Sequence, residues 1–214
     1  MRIPTEIKAL VAAGNEAEDR GAFDEAAVAY TRALDLIETS ERELRGRVLM
    51  NLGRVAGLAA KPGEAVEYYG QSVAHFEGLR GEAVLQTAHA HLNIAAHLLS
   101  MTDRQALQHI DTSLQWYRAY PFTSQTDIAD ALILRALIRA FCERALTETE
   151  LREAWEAAKA VRPEDLVEAF VLQFAELLIV TSRATARPPE SDVRAALLEW
   201  GRDCEPLQRF LAQR

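Results

Sequence analysis

The sequence predicts an all-α chain of about ten helices, paired into antiparallel hairpins that stack on one another. Three observations carry that expectation. Apolar residues recur at helical spacing along almost the whole chain. The 10 glycines and 7 prolines of the 214 residues gather between those periodic segments, where both residue types break helices. A set of small and aromatic positions also returns about every 40 residues, as in repeats that bury their apolar faces only against neighbours. Strand-like alternation of useful length and low-complexity tracts are absent.

The first helix is expected from about Pro4-Thr5 to Asp19, with proline tolerated in the first turn because its missing N–H has no partner there. Gly21 breaks it, and Phe23 to Ile37 forms the antiparallel mate. Ser40-x-x-Glu43 is a capping-box pattern that opens a third helix through Gly57. Lys61-Pro62-Gly63 is the next turn, followed by helices over Glu64–Gly78 and Glu82–Leu99. Thr102-x-x-Gln105 is expected to cap a sixth helix ending before Pro121. A seventh runs about Thr126 to Glu143, and Thr147-x-x-Glu150 caps an eighth ending near Arg162-Pro163. A ninth is expected over Glu164–Ser182 and a tenth over Glu190–Arg202, separated by the one clear loop, Ala184–Pro189. A short capping helix lies within 205–213. The chain is expected to form a single domain over 1–214, with clear repeats over 7–119 and divergent helical pairs over 124–162 and 164–203.

Composition bounds the function. Hydrophobic residues make up 49% and charged residues 26%, which is ordinary for a globular protein. The net charge of −8 disfavours a nonspecific nucleic-acid binder, which needs a concentrated positive surface. Cys142 and Cys204 have no metal-type spacing and read as two thiols of a reduced compartment. MRIPTEIKAL has no apolar core of an export signal. The longest apolar stretch, Ala169 to Val180, is interrupted by Gln173 and Glu176. It is too short and too polar to span a bilayer, which takes about 20 apolar residues. A cytoplasmic protein without membrane attachment is expected.

The repeat is defined by columns. Gly14, Gly53 and Asn93 lie 39 and 40 residues apart, and Ala26, Ala65 and Ala106 lie 39 and 41 apart. Tyr30, Tyr69 and Ile110 follow, then Ala33, Ser72 and Ser113. Two closely packed helices need small residues where their backbones approach and larger plugs beside them. In the first copy those are Gly14, Ala26 and Ala33 against Phe23 and Tyr30.

These residues resemble a tetratricopeptide repeat. The first copy matches at Gly14, Gly21, Phe23, Ala26, Tyr30 and Ala33. The second keeps Leu52-Gly53, Ala65, Tyr69 and Ser72, with Pro62 in place of the aromatic. The third keeps Leu92-Asn93, Ala106 and Ser113. A spacing near 40 exceeds the usual ~34 residues. It looks like the extended repeats of bacterial signalling and regulatory proteins, whose YY…AL.LF-type second helix is echoed by Tyr68-Tyr69 through His75-Phe76. The resemblance implies a right-handed superhelix, an α-solenoid whose concave face is lined by the first helix of each hairpin.

By the same resemblance the concave face would present Lys8, Val11, Asn15 and Glu18 from the first copy. The second would present Arg47, Met50, Asn51 and Arg54, and the third Thr87, Ala90, His91 and Ile94. Lys8, Asn15, Arg47, Asn51, Arg54, Thr87 and His91 are the expected peptide-binding residues. Asn15 and Asn51 match positions where relatives hold an extended peptide, and an amide suits this because it both donates and accepts. Lys8, Arg47 and Arg54 would favour a partner of acidic or C-terminal carboxylate character. Val11, Thr87 and His91 stand where a full carboxylate clamp carries lysine or arginine. The function implied is a non-catalytic protein- or peptide-binding scaffold or adaptor. The alternative is a regulatory sensor that binds a small ligand or signalling peptide and acts through another chain, with His91, His97 and Arg54 lining a closed pocket.

Chemistry-bearing motifs are missing: the chain has no G-x-S-x-G, P-loop or H-E-x-x-H. No enzyme activity, metal or cofactor is expected. All five histidines fall between 75 and 109, and His89, Asn93 and His97 share one helical face. Two turns separate His89 from His97 and no carboxylate completes a ligand set, so packing or groove polarity is the expectation. Trp116, Trp155 and Trp200 are expected in packing between repeats. Leu207, Phe210 and Leu211 would form a terminal cap or a dimer contact, leaving monomer and homodimer both open.

Overall fold

The computed structural model describes residues 3–139, 142 and 147–161, with isolated positions beyond. The described residues form eight helices and no strand. They are α1 (Thr5–Asp19), α2 (Phe23–Leu36), α3 (Arg42–Leu58), α4 (Pro62–Phe76), α5 (Glu82–Ser100), α6 (Gln105–Ala119), α7 (Gln125–Ile138) and α8 (Glu148–Val161). The ninth helix, Cys204 and Trp200 lie outside the described residues. Within the expected tenth helix and cap, Ser191, Arg194, Ala195, Leu198 and Ala212 are described and helical. The chain divides into two compact units, Met1–Thr123 and Ser124–Arg214.

The first unit is three hairpins, α1–α2, α3–α4 and α5–α6, each packed on the next. The small and aromatic columns explain the close packing within a hairpin. A Cβ on Gly14 would lie 2.5 Å from the ring of Tyr30, and one on Gly53 would lie 2.9 Å from that of Tyr69. A second contact of the same kind pairs Gly46 with Phe76, at 2.7 Å. Around the first of these the core gathers Ile7, Ala17, Ala26, Tyr30, Ala33 and Ile37 with Val48, Leu49, Leu52 and Val55 of the following helix.

The first helix of each hairpin ends in the same way. Gly21, Ala60 and Thr102 all take the left-handed conformation, at φ +73°, +58° and +58°. The N–H of the next residue reaches back to a carbonyl five residues earlier: Ala22 to Ala17, Lys61 to Ala56 and Asp103 to Leu98, each at 2.8–2.9 Å. This closure satisfies carbonyls that a helix end otherwise leaves open. Thr102 therefore finishes α5 and does not cap α6. Asp103 does that instead, its carboxylate accepting from the Gln105 N–H at 2.8 Å.

That shared stop also corrects the register of the third copy. Counted back from the left-handed residue, the position of Gly14 and Gly53 is Ala95, not Asn93. Ala95 is fully buried while Asn93 is half-exposed. The position of Gly46 becomes Ala88, also fully buried. The reason is length: α5 has 19 residues against 17 in α3 and 15 in α1.

Two further expectations at helix starts change. Ser40 does not form a capping box; α3 begins at Arg42 without a side-chain cap, and the Ser40 hydroxyl donates to Glu38. The pattern stood one residue too early, since Glu41 holds the cap position. Pro62 and Gly63 lie inside α4, with Pro62 in its first turn, where proline is well placed.

Arginines of α3 close the ends of the second helices. Arg45 donates to the carbonyls of Leu34 and Ile37 at 3.1 and 2.8 Å. Arg42 donates to those of Ala74 and Glu77, both at 2.9 Å. A cation also complements the negative end of each helix dipole.

Two buried serines in one column behave differently. The Ser113 hydroxyl donates to the Ala88 carbonyl at 2.8 Å, tying α6 to α5, whereas that of Ser72 has no partner. A satisfied hydrogen bond contributes about 1 kcal/mol, and an unmade one costs at least as much. Ser113→Ala is expected to lower stability by about 1 kcal/mol, and Ser72→Ala to leave it unchanged or raise it. Denaturant midpoints of the two variants check this, and equal losses would contradict it.

In the second unit, α7 and α8 pack as a hairpin. Ser124 caps α7, its oxygen accepting from the Asp127 N–H at 3.1 Å. The expected capping box at α8 is present: the Thr147 N–H donates to Glu150 Oε2 (3.0 Å) and the Glu150 N–H to Thr147 Oγ1 (3.3 Å). Burial pushes the Glu150 carboxyl up, but both Thr147 hydrogen bonds and the Arg139 and Arg135 guanidiniums outweigh it, so its pKa lies below the usual value. Cys142 and Ala154 are buried. Trp116, expected in packing, keeps 40% of its surface exposed.

Candidate functional site

A groove of about 410 Å³ opens on the face made by the first helices of the three hairpins. Val11 lines it from α1, Leu44, Arg47, Val48, Met50, Asn51 and Arg54 from α3, Tyr69 from α4, and Gln86 and Asn93 from α5. In the corrected register Asn51 and Asn93 occupy equivalent places on adjacent helices, as do Leu44 and Gln86.

The missing side chains of Gly14 and Gly53 let two tyrosines reach toward this face. The Tyr30 hydroxyl donates to Asn15 Oδ1 at 2.6 Å and approaches Glu18 Oε2 at 3.4 Å. Glu18, with only 9% of its side chain exposed, forms an ion pair with Arg54 across α1 and α3. Arg54 also donates to Asn51 Oδ1 at 3.3 Å. Burial holds the Tyr30 hydroxyl above its ordinary pKa, with Asp19 adding to the effect. Burial also pushes Tyr69 up to about 12, against a smaller pull from Arg54. Both therefore stay protonated donors at neutral pH.

Of the seven expected residues, the structure brings Asn15, Asn51 and Arg54 into this one network. Arg47 lines the groove but is held between Glu43 (2.9 Å) and Glu82 (3.0 Å). Lys8 is exposed and lies outside the lining. Thr87 is buried, its hydroxyl turned back to the Ala83 carbonyl at 2.9 Å. Ala90 and Ile94, expected beside it, are buried as well. The cause is the two-residue shift in α5: Thr87, Ala90 and Ile94 correspond to Arg45, Val48 and Leu52, and only Arg45 of those is not fully buried.

His91 is equally displaced from the groove. Its Nδ1 lies 2.9 Å from Nδ1 of His109 on α6, so one ring donates and the other accepts. Burial lowers the His91 pKa to about 4, with His109 adding to the shift. Burial also lowers that of His109, against a raising effect of Asp103. Folding thus favours the neutral pair. The stability it contributes is complete above about pH 6.5 and is lost as pH falls toward 4. Allowing for partial exposure, wild type is expected to lose about 1–2 kcal/mol over that window. A His91→Leu, His109→Leu double variant should lose less there, by urea titration at each pH, and parallel slopes would refute the assignment.

The other two histidines of the expected face are also packed. His97 stacks on Tyr69 with ring centres 5.9 Å apart, in space left by Gly57, where a Cβ would come within 2.5 Å of the imidazole. His89 meets Tyr117 edge-on at 5.5 Å. Among the described residues no group of three or more His, Cys, Asp or Glu could hold a metal ion. No helix among them is long and apolar enough to cross a membrane.

Sequence reading missed Gln86 and Tyr69 as groove residues and placed Asn93 in the packing column. The signal was available at Met101-Thr102-Asp103, had the α5 register been counted from the helix stop and not from its middle.

Comparison with solved structures supports the architecture. BtubC from P. vanneervenii superposes with a TM-score of 0.70 at 11% identity, over 97% of this chain and 80% of that one. The chain shares the fold of that protein. A TPR repeats protein from Bacteroides fragilis aligns over 98% of each chain at 14% identity with a TM-score of 0.42. No protein-family model matches the sequence, and no curated protein does.

Proposed function

We propose that the chain is a non-catalytic protein- or peptide-binding scaffold that holds its partner in the groove of the first unit. The observation that carries this reading is the lining itself. One open groove crosses α1, α3 and α5 and presents apolar side chains beside amides, which together meet the side chains and the main-chain polar groups of a polypeptide segment. A sensor for a small ligand was expected to use His91 and His97 with Arg54 in a closed pocket. Those histidines are occupied by His109 and Tyr69 and do not line the groove, which favours the peptide reading.

Affinity capture from the source cells, with wild type, Met50→Asp and Asn51→Ala as baits, tests it. The true partner is expected to bind each variant at least about tenfold more weakly, a loss of about 1.4 kcal/mol. A partner that binds all three equally would refute the groove as its site.

A further inference from the structure

The charge state of the groove narrows what it takes. Arg47 is compensated by two glutamates, Glu43 and Glu82. Arg54 is compensated by Glu18, whose side chain is almost fully enclosed. A ligand carboxylate would have to share Arg54 with Glu18 or displace it, and sharing gathers two anions on one cation while displacement leaves Glu18 enclosed without its counter-charge. The amides are in the opposite condition. Gln86 and Asn93 have no hydrogen-bond partner among the described residues, and each offers donors and an acceptor. Asn51 spends its oxygen on Arg54 and keeps its two N–H donors. Beside them Val11, Leu44, Val48 and Met50 form the apolar part of the lining.

We propose that the occupant is an extended, uncharged peptide segment. Its main-chain carbonyls and N–H groups are met by Asn51, Asn93 and Gln86, and one large apolar side chain seats on Val11, Leu44 and Met50, the half-buried apolar residues of the lining. An extended backbone offers acceptors and donors in turn, matching amides that carry both. An uncharged segment leaves the Glu18–Arg54 and Arg47 pairs in place. This rests on the groove reading above and replaces the expected acidic partner by an uncharged one.

The test uses a library of random peptides displayed on phage, panned against the whole chain at about 0.1 M and about 0.5 M salt. Selected peptides are expected to lack net charge, to share one large aliphatic or aromatic residue, and to bind alike at both salt concentrations. They should bind about tenfold more weakly to Asn93→Asp and to Gln86→Glu, near-isosteric changes that exchange an amide donor for an acceptor. Unchanged far-ultraviolet circular dichroism of those variants separates lost contact from lost fold. If the selected peptides are acidic and weaken about tenfold with salt, yet still fail on Met50→Asp, the uncharged occupant is overturned and the groove stands. If no peptide is selected, or those selected bind Met50→Asp, Asn93→Asp and Gln86→Glu as well as wild type, both readings fall.

Discussion

Gly14→Ala is expected to lower stability by about 1–3 kcal/mol, the range for overpacking a filled core. Helix propensity alone argues the other way, since alanine is better than glycine in a helix by about 1 kcal/mol. The deciding quantity is the 2.5 Å between a new Cβ and the Tyr30 ring. That ring is fully buried and cannot swing away. The third hairpin shows the alternative solution, in which the equivalent positions carry Ala95 and Ile110, both fully buried. Tyr30→Ile alone should cost about 2–4 kcal/mol through the cavity it leaves. On that background Gly14→Ala should change sign and become neutral or stabilising, a coupling of about 1–3 kcal/mol between contacting residues. Urea unfolding of the two single variants and the double variant measures it. Additive effects would show that the glycine is present for some reason other than the tyrosine.

The second large effect is expected at Arg45. Its two hydrogen bonds to the Leu34 and Ile37 carbonyls are charge-assisted and partly buried, and such bonds contribute about 1.5–3 kcal/mol. Arg45→Ala should therefore lower stability by about 2–3 kcal/mol, leaving the end of α2 without donors. Arg45→Lys should recover only part of that, because an ammonium lacks the planar fork that reaches two carbonyls. Arg42→Ala, whose two equivalent bonds lie in solvent, should cost about 1 kcal/mol or less. Equal losses at the two arginines would remove burial as the distinguishing cause.

The hairpins were legible because spacing encodes them. Gly14 with Tyr30 and Gly53 with Tyr69 are close contacts that a count of residues finds without coordinates. The seams were less legible. Thr102-x-x-Gln105 carries the letters of a capping box, yet the same threonine closes the preceding helix, and local pattern alone does not separate a start from a stop. The α5 face was misplaced for a related reason. The polar residues of its interior fall into two sets, Gln86, His89, Asn93 and His97 on one face and Thr87 and His91 on another, and the alanines between them do not mark which set fronts the groove. Part of the neutralisation of Arg47 is legible, since Glu43 stands four residues before it on α3, but Glu82 and Glu18 lie on other helices and become neighbours only in three dimensions.

The ion pair between Glu18 and Arg54 has a consequence for how the first hairpin docks on the second. Packing among the hairpins of the first unit is between neighbours in the series, so α1 and α2 dock on the rest of the unit through the second hairpin. Val11, Asn15 and Glu18 all stand on the first hairpin. Detaching α1 removes one wall of the groove and strips Arg54 of its counter-charge in the same event. Occupancy of the groove and docking of the first hairpin are thus one linked equilibrium. Whatever binds against Val11 also suppresses detachment of α1, to the extent that its concentration exceeds its dissociation constant.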